Sequence, residues 1–510
     1  MYNKTLILLF FIAAKFILQY LIIDPSYDLQ RDEYLHLDQA QHLSAGFLSV
    51  PPVTSWIAFL INAFGNTFFW IKFFPALFGA LTILVVWKIT EELKGGIFAQ
   101  ALSATALLFS ILPRINMLFQ PNSLDILLWT VVYFCLIKYV NTNLDKWVLW
   151  LAVFIAVGIL NKYNILFLMA GLFPAMLITK RRILFSNRIV YLSMLLALLL
   201  ILPNLIWQMQ HHFPVVYHMK ELAKTQLVNI DRKDFIIQQV LFFISSLPVL
   251  IAGYLSFIFY KPCKKYGFIL LSFIFTLLIF IYFKAKGYYA IGLYPVIIGF
   301  GSVYIEKLLS AGWKKNVLRP ALVVSILVLF MIPFKAIYPV LSPQLIAQNA
   351  QLFKKYGLLK WEDGKDHTLP QDFADMLGWK ELSEKVVNTY NALPDKNTVL
   401  IFCDNYGQAG AINYYAKGKI PKAVSFNADY IFWFPKEMTY KNLIHVKEAG
   451  DSIAEAEKHF FKSISVGGII ENIYAREYGT TIFVLVDADS SFTTFLHAKI
   501  EERIKSYSSY

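Results

Sequence analysis

Charge is what this sequence has least of. Only 16% of its 510 residues are Asp, Glu, Lys or Arg, where a soluble globular protein carries roughly 25%. A deficit of that size over so long a chain excludes an ordinary water-soluble protein, because lipid must solvate much of the surface. Cysteine is scarce as well. Cys135 lies in an apolar run, Cys263 in a basic loop and Cys403 far along the chain, with no metal-ligand spacing among them. They read as isolated free thiols, which excludes a disulfide framework and a cysteine-held zinc site. Acid is short relative to base, 34 residues against 47, for a formal charge of +13. The basic residues sit in short clusters between apolar runs, the pattern of membrane topology signals, and this argues against a nucleic-acid partner. There is no internal repeat and no low-complexity linker.

What is present is apolar. Hydrophobic residues make up 57% of the chain, aromatics 16%, and mean hydropathy is +0.53. A helix needs about 20 mostly apolar residues to cross the hydrocarbon core. Such stretches lie near 4–24, 67–91, 96–113, 122–140, 145–161, 163–180, 188–208, 235–259, 265–284, 288–308 and 319–341, about eleven spans in all. The apolar stretch near the N-terminus is too long for a signal peptide and has no small-x-small cleavage site before Asp24, so it reads as a retained span. The connections 180–188, 261–265 and 306–319 are the richest in Lys and Arg. All three fall on one side, which the positive-inside rule makes cytoplasmic. The opposite side then holds the loops 25–66, 114–121, 161–164, 209–234 and 284–288, together with the tail.

The chain changes character near residue 345. We expect a polytopic α-helical membrane domain over 1–344 and an extracytoplasmic α/β domain over 345–510. Within the tail, 379–391 reads as an amphipathic helix, 398–403 as a buried strand and Gly407 to Tyr415 as a second helix. The run 451–462 should add a helix, and 480–488 another strand. The Asp404-Asn405-Tyr406-Gly407 turn has two readings, a ligand site at a helix N-terminus or an ordinary strand-to-helix connection.

The outer loops carry the candidate chemistry. The first loop places Arg31, Asp32 and Glu33 just after the first span, followed by a mixed polar and apolar stretch suited to helices along the membrane surface. The acidic pair is either a headgroup-facing site or a solvated turn with acids at a helix start. Asp125 stands at the outer start of the fourth span, where an acid either marks a functional path or caps the helix. Lys162 lies in the hairpin between two spans and would otherwise snorkel. Lys284, Lys286, Tyr288 and Tyr289 sit at the outer end of the ninth span, on the side where cations are disfavoured, which points to a bound anion. A phosphate headgroup fits this mixture of Lys, Arg, Asp and Glu. His211 and His212 have no carboxylate spacing for a metal, and read as interfacial side chains or acceptor contacts.

These residues carry a resemblance. Arg31-Asp32-Glu33-Tyr34, then Gly46 and Pro51-Pro52, resemble the first outer loop of the PMT-type glycosyltransferases, which include protein O-mannosyltransferases and the aminoarabinose transferases of lipid A. Leu124-Asp125, Leu160-Asn161-Lys162-Tyr163, Asn204-Leu205-Ile206-Trp207 with His211, and Lys286-Gly287-Tyr288-Tyr289 follow in order. The tail segments Leu369 to Trp379 and Asn405 to Ile412 are similar to those of a bacterial subgroup. The resemblance implies a GT-C fold in a bacterial cytoplasmic membrane, a polyprenyl-phosphate-linked sugar as donor and a lipid, glycan or protein acceptor on the extracytoplasmic face. It implies Asp32 as catalytic carboxylate, with Glu33 as the alternative base and Asp125 positioning substrate. Lys162, with Arg31, Lys284 and Lys286 and the tyrosines 288 and 289, would hold the donor phosphate. No cofactor is implied, and a divalent ion stays open. Val50 stands where the aminoarabinose transferases carry a Lys before Pro-Pro, which weakens an assignment to that sugar.

A transporter or flippase of lipid-linked sugars is the competing reading. It would be expected to show paired inverted halves or helices broken near the midplane. Here the halves do not match, and the suspect charges lie at span ends.

Overall fold

The computed structural model describes residues 2–396, 398–435 and 439–508. The chain divides into two compact units. The first comprises Met1–Ile23, Phe69–Leu205 and Ala223–Val340; the second comprises Asp24–Phe68, Ile206–Leu222 and Leu341–Tyr510. The tail is therefore not a unit by itself. The first outer loop and a short stretch after residue 205 condense with it.

The first unit is a helical membrane bundle. Among the described residues, six helices are long and apolar enough to cross a membrane, including Phe68–Glu92, Pro121–Thr142 and Arg188–Gln210. Arg232–Leu241 and Ile244–Phe259 make a seventh crossing only as a pair bent by 60°. The other four expected spans form shorter helices, for reasons visible in the chain. Lys146–Asn161 and Ile165–Leu177 have 16 and 13 residues, about 24 and 20 Å at 1.5 Å per residue. That is short of the roughly 30 Å core. The extended backbone at Lys162 separates them. Ile97–Leu108 stops at Phe109 before the short turn that contains Pro113. Arg319–Met331 stops just before Pro333, which cannot donate to a preceding turn.

Small residues set the close approaches inside this bundle. A Cβ at Gly301 would lie 1.9 Å from the Val249 carbonyl oxygen, so the helices carrying these residues meet backbone to backbone. Small side chains at such crossings are what lets membrane helices pack, since the hydrophobic effect gives them no drive in lipid.

The second unit is built on a five-stranded sheet in the order β2-β1-β3-β5-β4. Its strands are β1 Val399–Cys403, β2 Ala423–Ser425, β3 Asn442–Lys447, β4 Phe461–Ile469 and β5 Thr481–Ala488. β1 pairs in parallel with β2 and β3, while β5 runs antiparallel to both β3 and β4. Leu400, Leu443 and Leu485 align across β1, β3 and β5 and point to one face. There they form a core with Phe492 and Leu496 of the C-terminal helix Ser491–Ser508. The opposite face carries the helix Trp379–Ala392, whose Thr389 approaches Gly467 of β4 beside Val484. The expected helix over 451–462 is reduced to the single turn Glu455–Lys458 before β4 begins at Phe461. β2, β4 and the C-terminal helix carry no clear signal in the sequence.

Two helices form in the first loop, Arg31–Gln39 and Val53–Ala63. The first is enclosed in the second unit, buried from Glu33 through Gln39.

Candidate functional site

The acidic pair of the first loop resolves into two different environments. Gln30 is the N-cap of Arg31–Gln39, and its side-chain oxygen accepts from the Asp32 amide at 2.8 Å. Glu33 completes the capping box by accepting from the Gln30 amide at 2.7 Å, which satisfies helix-end donors reciprocally. Glu33 is fully buried in that role. Asp32 is only partly buried, and its Oδ1 accepts from the Tyr406 hydroxyl at 2.5 Å.

Tyr406 comes from the tail. Asn405 caps the helix Tyr406–Tyr415 in a second capping box with Gln408, and the cap sets Tyr406 in the first turn. Gly410 lets this helix lie directly on the first-loop helix. A Cβ there would meet Tyr34 Cβ and Tyr430 Oη, each at 2.8 Å. Burial, reinforced by Asp32, pushes the Tyr406 phenol well above its ordinary pKa, so it is a proton donor at neutral pH.

Cations and acids surround the pair. The Arg31 guanidinium lies 4.4 Å from the Tyr406 ring centroid, and the Arg31 amide donates to the Asp375 carbonyl at 3.2 Å. Burial works against the charge on Arg31, but Tyr406, Asp375, Asp32 and Glu477 more than restore it and raise its pKa. Asp375 is held by Arg476 at 3.0 Å and by Gln30 at 3.3 Å. Burial still pushes its carboxyl up to about 6, against the lowering effect of Arg476 and Arg31. At the far end of the first-loop helix, Asp38 accepts from Tyr430 and Asn413, both at 2.7 Å. Gln39 donates to Asp429 at 2.7 Å.

A separate polar cluster lies in the first unit. Asp125 is 5% exposed and accepts from Trp129 Nε1 at 3.0 Å and Asn164 Nδ2 at 2.9 Å. Asn164 also donates to the Tyr289 carbonyl at 3.1 Å. Lys162 donates to Asn122 at 2.7 Å and lies 4.3 and 5.3 Å from the Tyr289 and Tyr288 rings. The segments 121–125, 161–164 and 288–289 thus converge on one ammonium group. Asn161 Oδ1 and Asn164 Oδ1 are enclosed there without a hydrogen-bond partner.

The expected residues therefore fall into groups. Asp125, Lys162, Tyr288 and Tyr289 belong to this first-unit cluster. Lys286 donates to Gln226 at 2.6 Å and is close enough to Lys162 to act on its charge, while Lys284 stands at φ 52°. Arg31, Asp32 and Glu33 belong to the second unit. His211, also in the second unit, stacks on Trp207 at 4.1 Å and lines a cavity of about 560 Å³. His212 is exposed and does not line it. Among the described residues no group of three or more His, Cys, Asp or Glu is arranged to hold a metal ion. Asn164 and Arg476 did not stand out as site residues in the sequence, and Tyr406 did so only as part of the 404–407 turn. The Asn405 to Gln408 spacing is a capping-box signal that locates Tyr406, but nothing in the sequence shows which acid it meets.

Comparison with known proteins agrees with this architecture. Residues 49–207 match the family described as Dolichyl-phosphate-mannose-protein mannosyltransferase. A lipid A galacturonosyltransferase, RgtD of Rhizobium johnstonii, is 27% identical over 198 residues, 38% of this chain and 41% of the relative. The match thus spans well under half of that protein. Among solved structures, ArnT of Cupriavidus metallidurans bound to undecaprenyl phosphate aligns with a TM-score of 0.60 at 12% identity, covering 93% of this chain and 97% of ArnT. The oligosaccharyltransferase AglB of Archaeoglobus fulgidus, in complex with an inhibitory peptide and a dolichol-phosphate, aligns at 0.50 and 12%, covering 87% of this chain and 69% of AglB. The fold is that of the GT-C glycosyltransferases, and the chain is a multi-pass membrane protein.

Proposed function

With the GT-C fold as premise, we propose that this protein transfers a sugar from a polyprenyl-phosphate donor to an acceptor hydroxyl on the extracytoplasmic side of the membrane. The observation that carries the reading is the division of labour in the first loop. Glu33 is consumed by its helix cap, while Asp32 stays partly accessible with one oxygen held by Tyr406. A carboxylate oriented by a phenol suits a base that takes the proton of an attacking hydroxyl.

In this reading the acceptor oxygen attacks the sugar C1, Asp32 accepts its proton, and the bond from C1 to the phosphate oxygen breaks with inversion. The departing lipid phosphate carries the electron pair. Taken by itself within the first unit, the Lys162 ammonium suits a lipid phosphate, since a fixed cation in a poorly solvated site costs no reorganisation when charge develops. Asn122 and the two tyrosine faces fix its ammonium. Asp125, bonded to Asn164, would hold the loop beside it. Arg31 acts in this scheme through Tyr406, whose ring it covers.

The test is release of polyprenyl phosphate by the purified protein from a panel of polyprenyl-phosphate sugars, wild type against Asp32→Asn, with a cell-envelope extract as acceptor source. Turnover of one donor, lost in the folded variant, is expected. Turnover that survives would remove Asp32 from the chemistry, and no turnover of any donor would favour a transporter.

A further inference from the structure

The cavity beside His211 is built entirely within the second unit, from stretches far apart in the chain. The loop after the first-loop helix supplies His42, whose ring stacks on Trp433 at 4.3 Å and 10°. The end of a long apolar helix supplies the second stacked pair, Trp207 and His211, at 4.1 Å and 17°. Phe432 reaches the edge of His211 at 5.9 Å. The volume of about 560 Å³ lies within the usual range of small-molecule sites, roughly 300–1,000 Å³.

Its walls are held by hydrogen bonds. Asp429 accepts from the Leu48 amide and from Gln39, both at 2.7 Å, and Tyr430 bonds Asp38. These contacts fasten the loop 42–48 and the end of the first-loop helix to the segment that carries Trp433. From Asp32 to Gln39 that helix runs about 10 Å at 1.5 Å per residue. The carboxylate proposed as base thus sits on a short helix whose far end is fastened to the cavity wall.

The charge of the lining narrows the occupant. Among the described lining residues there is no Lys or Arg, while Asp429 and Glu501 contribute acid. Burial, followed by the effect of Lys422, pushes His42 down to about 4, so its ring is neutral at pH 7. Among the described lining residues, an anion such as a phosphate group would meet two carboxylates and no Lys or Arg. Flat aromatic faces with hydrogen-bonding groups at their edges suit a sugar ring, whose C–H faces are apolar and whose hydroxyls are polar.

We infer that this cavity is the acceptor subsite, and that it takes a saccharide ring that is neutral or carries an amino group, packed against Trp207 and Trp433. The inference rests on the glycosyltransferase reading for the word acceptor, but binding itself does not require turnover.

The test is titration calorimetry on the full chain in detergent, with three probes: the N-acetylglucosamine trisaccharide, its de-N-acetylated form and trigalacturonate. The first two should bind saturably and at least about tenfold more tightly than trigalacturonate. Trp433→Leu and Trp207→Leu should each weaken them about fivefold or more. Glu501 is exposed on the C-terminal helix, near Lys505 at 3.8 Å. Glu501→Lys should therefore fold normally and abolish the preference over trigalacturonate. Asp32→Asn should bind all three as wild type does, so loss of activity and loss of this subsite are read separately. Equal or tighter binding of trigalacturonate, binding that survives both tryptophan changes, or no saturable binding of any probe up to roughly 10 mM would each overturn the assignment.

Discussion

Tyr406→Phe removes one oxygen atom and little else, which makes it the sharpest probe of the proposed base. The ring stays, and with it the Arg31 contact at 4.4 Å. What is lost is a 2.5 Å hydrogen bond to Asp32. Hydrogen bonds to charged groups contribute about 1.5–3 kcal/mol. Water can reach the partly buried Asp32 and replace some of that, so the lower half of the range applies. If the bond holds Asp32 in the attacking geometry, the loss appears in the rate of the chemical step. At about 1.4 kcal/mol per factor of ten, kcat should fall roughly tenfold to fortyfold. The donor does not touch Tyr406 in this mechanism, so donor KM should stay within about twofold. Polyprenyl-phosphate release under donor saturation gives kcat, and thermal unfolding in detergent checks the fold. Wild-type kcat in the variant would refute the positioning argument. A raised KM with a large loss of thermal stability would make Tyr406 a packing residue instead.

Other predictions test other parts of the structure. Lys162→Met keeps an unbranched apolar stem but removes the ammonium over Tyr289; donor KM should rise roughly tenfold or more while acceptor KM holds, and unchanged donor KM would dismiss the phosphate contact. Gly410→Ala puts a Cβ within 2.8 Å of Tyr34 Cβ and Tyr430 Oη. Overpacking of this kind costs about 1–3 kcal/mol, so the unfolding temperature should drop, and a stable variant would mean that the two helices can part freely. Burial alone would raise Asp404, but His445, the Glu448 amide and Lys447 bring it down to about 2. A carboxylate depressed in the folded state adds stability above its unfolded pKa of about 3.9, lost as pH falls from there toward 2. Wild type should therefore lose more stability than Asp404→Asn between pH 4 and pH 2 in unfolding scans. Identical slopes would contradict this account.

The sequence determined the physical class of this protein. Apolar runs and scarce charge require lipid, because a chain with so few ionisable groups cannot dress its surface for water. Its strongest local signals also held. Phe68–Glu92, Pro121–Thr142 and Arg188–Gln210 form where the long runs predict them. Trp379–Ala392 and β1 form where the period changes to that of an amphipathic helix and a buried strand. Weaker signals failed where neighbours decide the outcome. β4 has mostly exposed side chains and owes its existence to pairing with β5, a contact that no local pattern announces. The bend at 242–243 likewise falls inside the apolar stretch 240–244, which gives it no mark of its own.

Within the candidate site, composition and spacing drew attention to Asp32, Glu33, Asp125 and Lys162, since charges beside apolar spans are conspicuous. They could not separate Asp32 from Glu33. Adjacent residues on a helix point in different directions, and only the folded cap shows that Glu33 turns back to the Gln30 amide while Asp32 meets Tyr406. That partner lies 374 residues away. Tertiary structure alone brings the tail onto the first loop, through a helix contact close enough to need Gly410. A sequence records the capacity of a phenol to donate and of a carboxylate to accept. Which donor meets which acceptor depends on chain closure over hundreds of residues, and that is settled by packing.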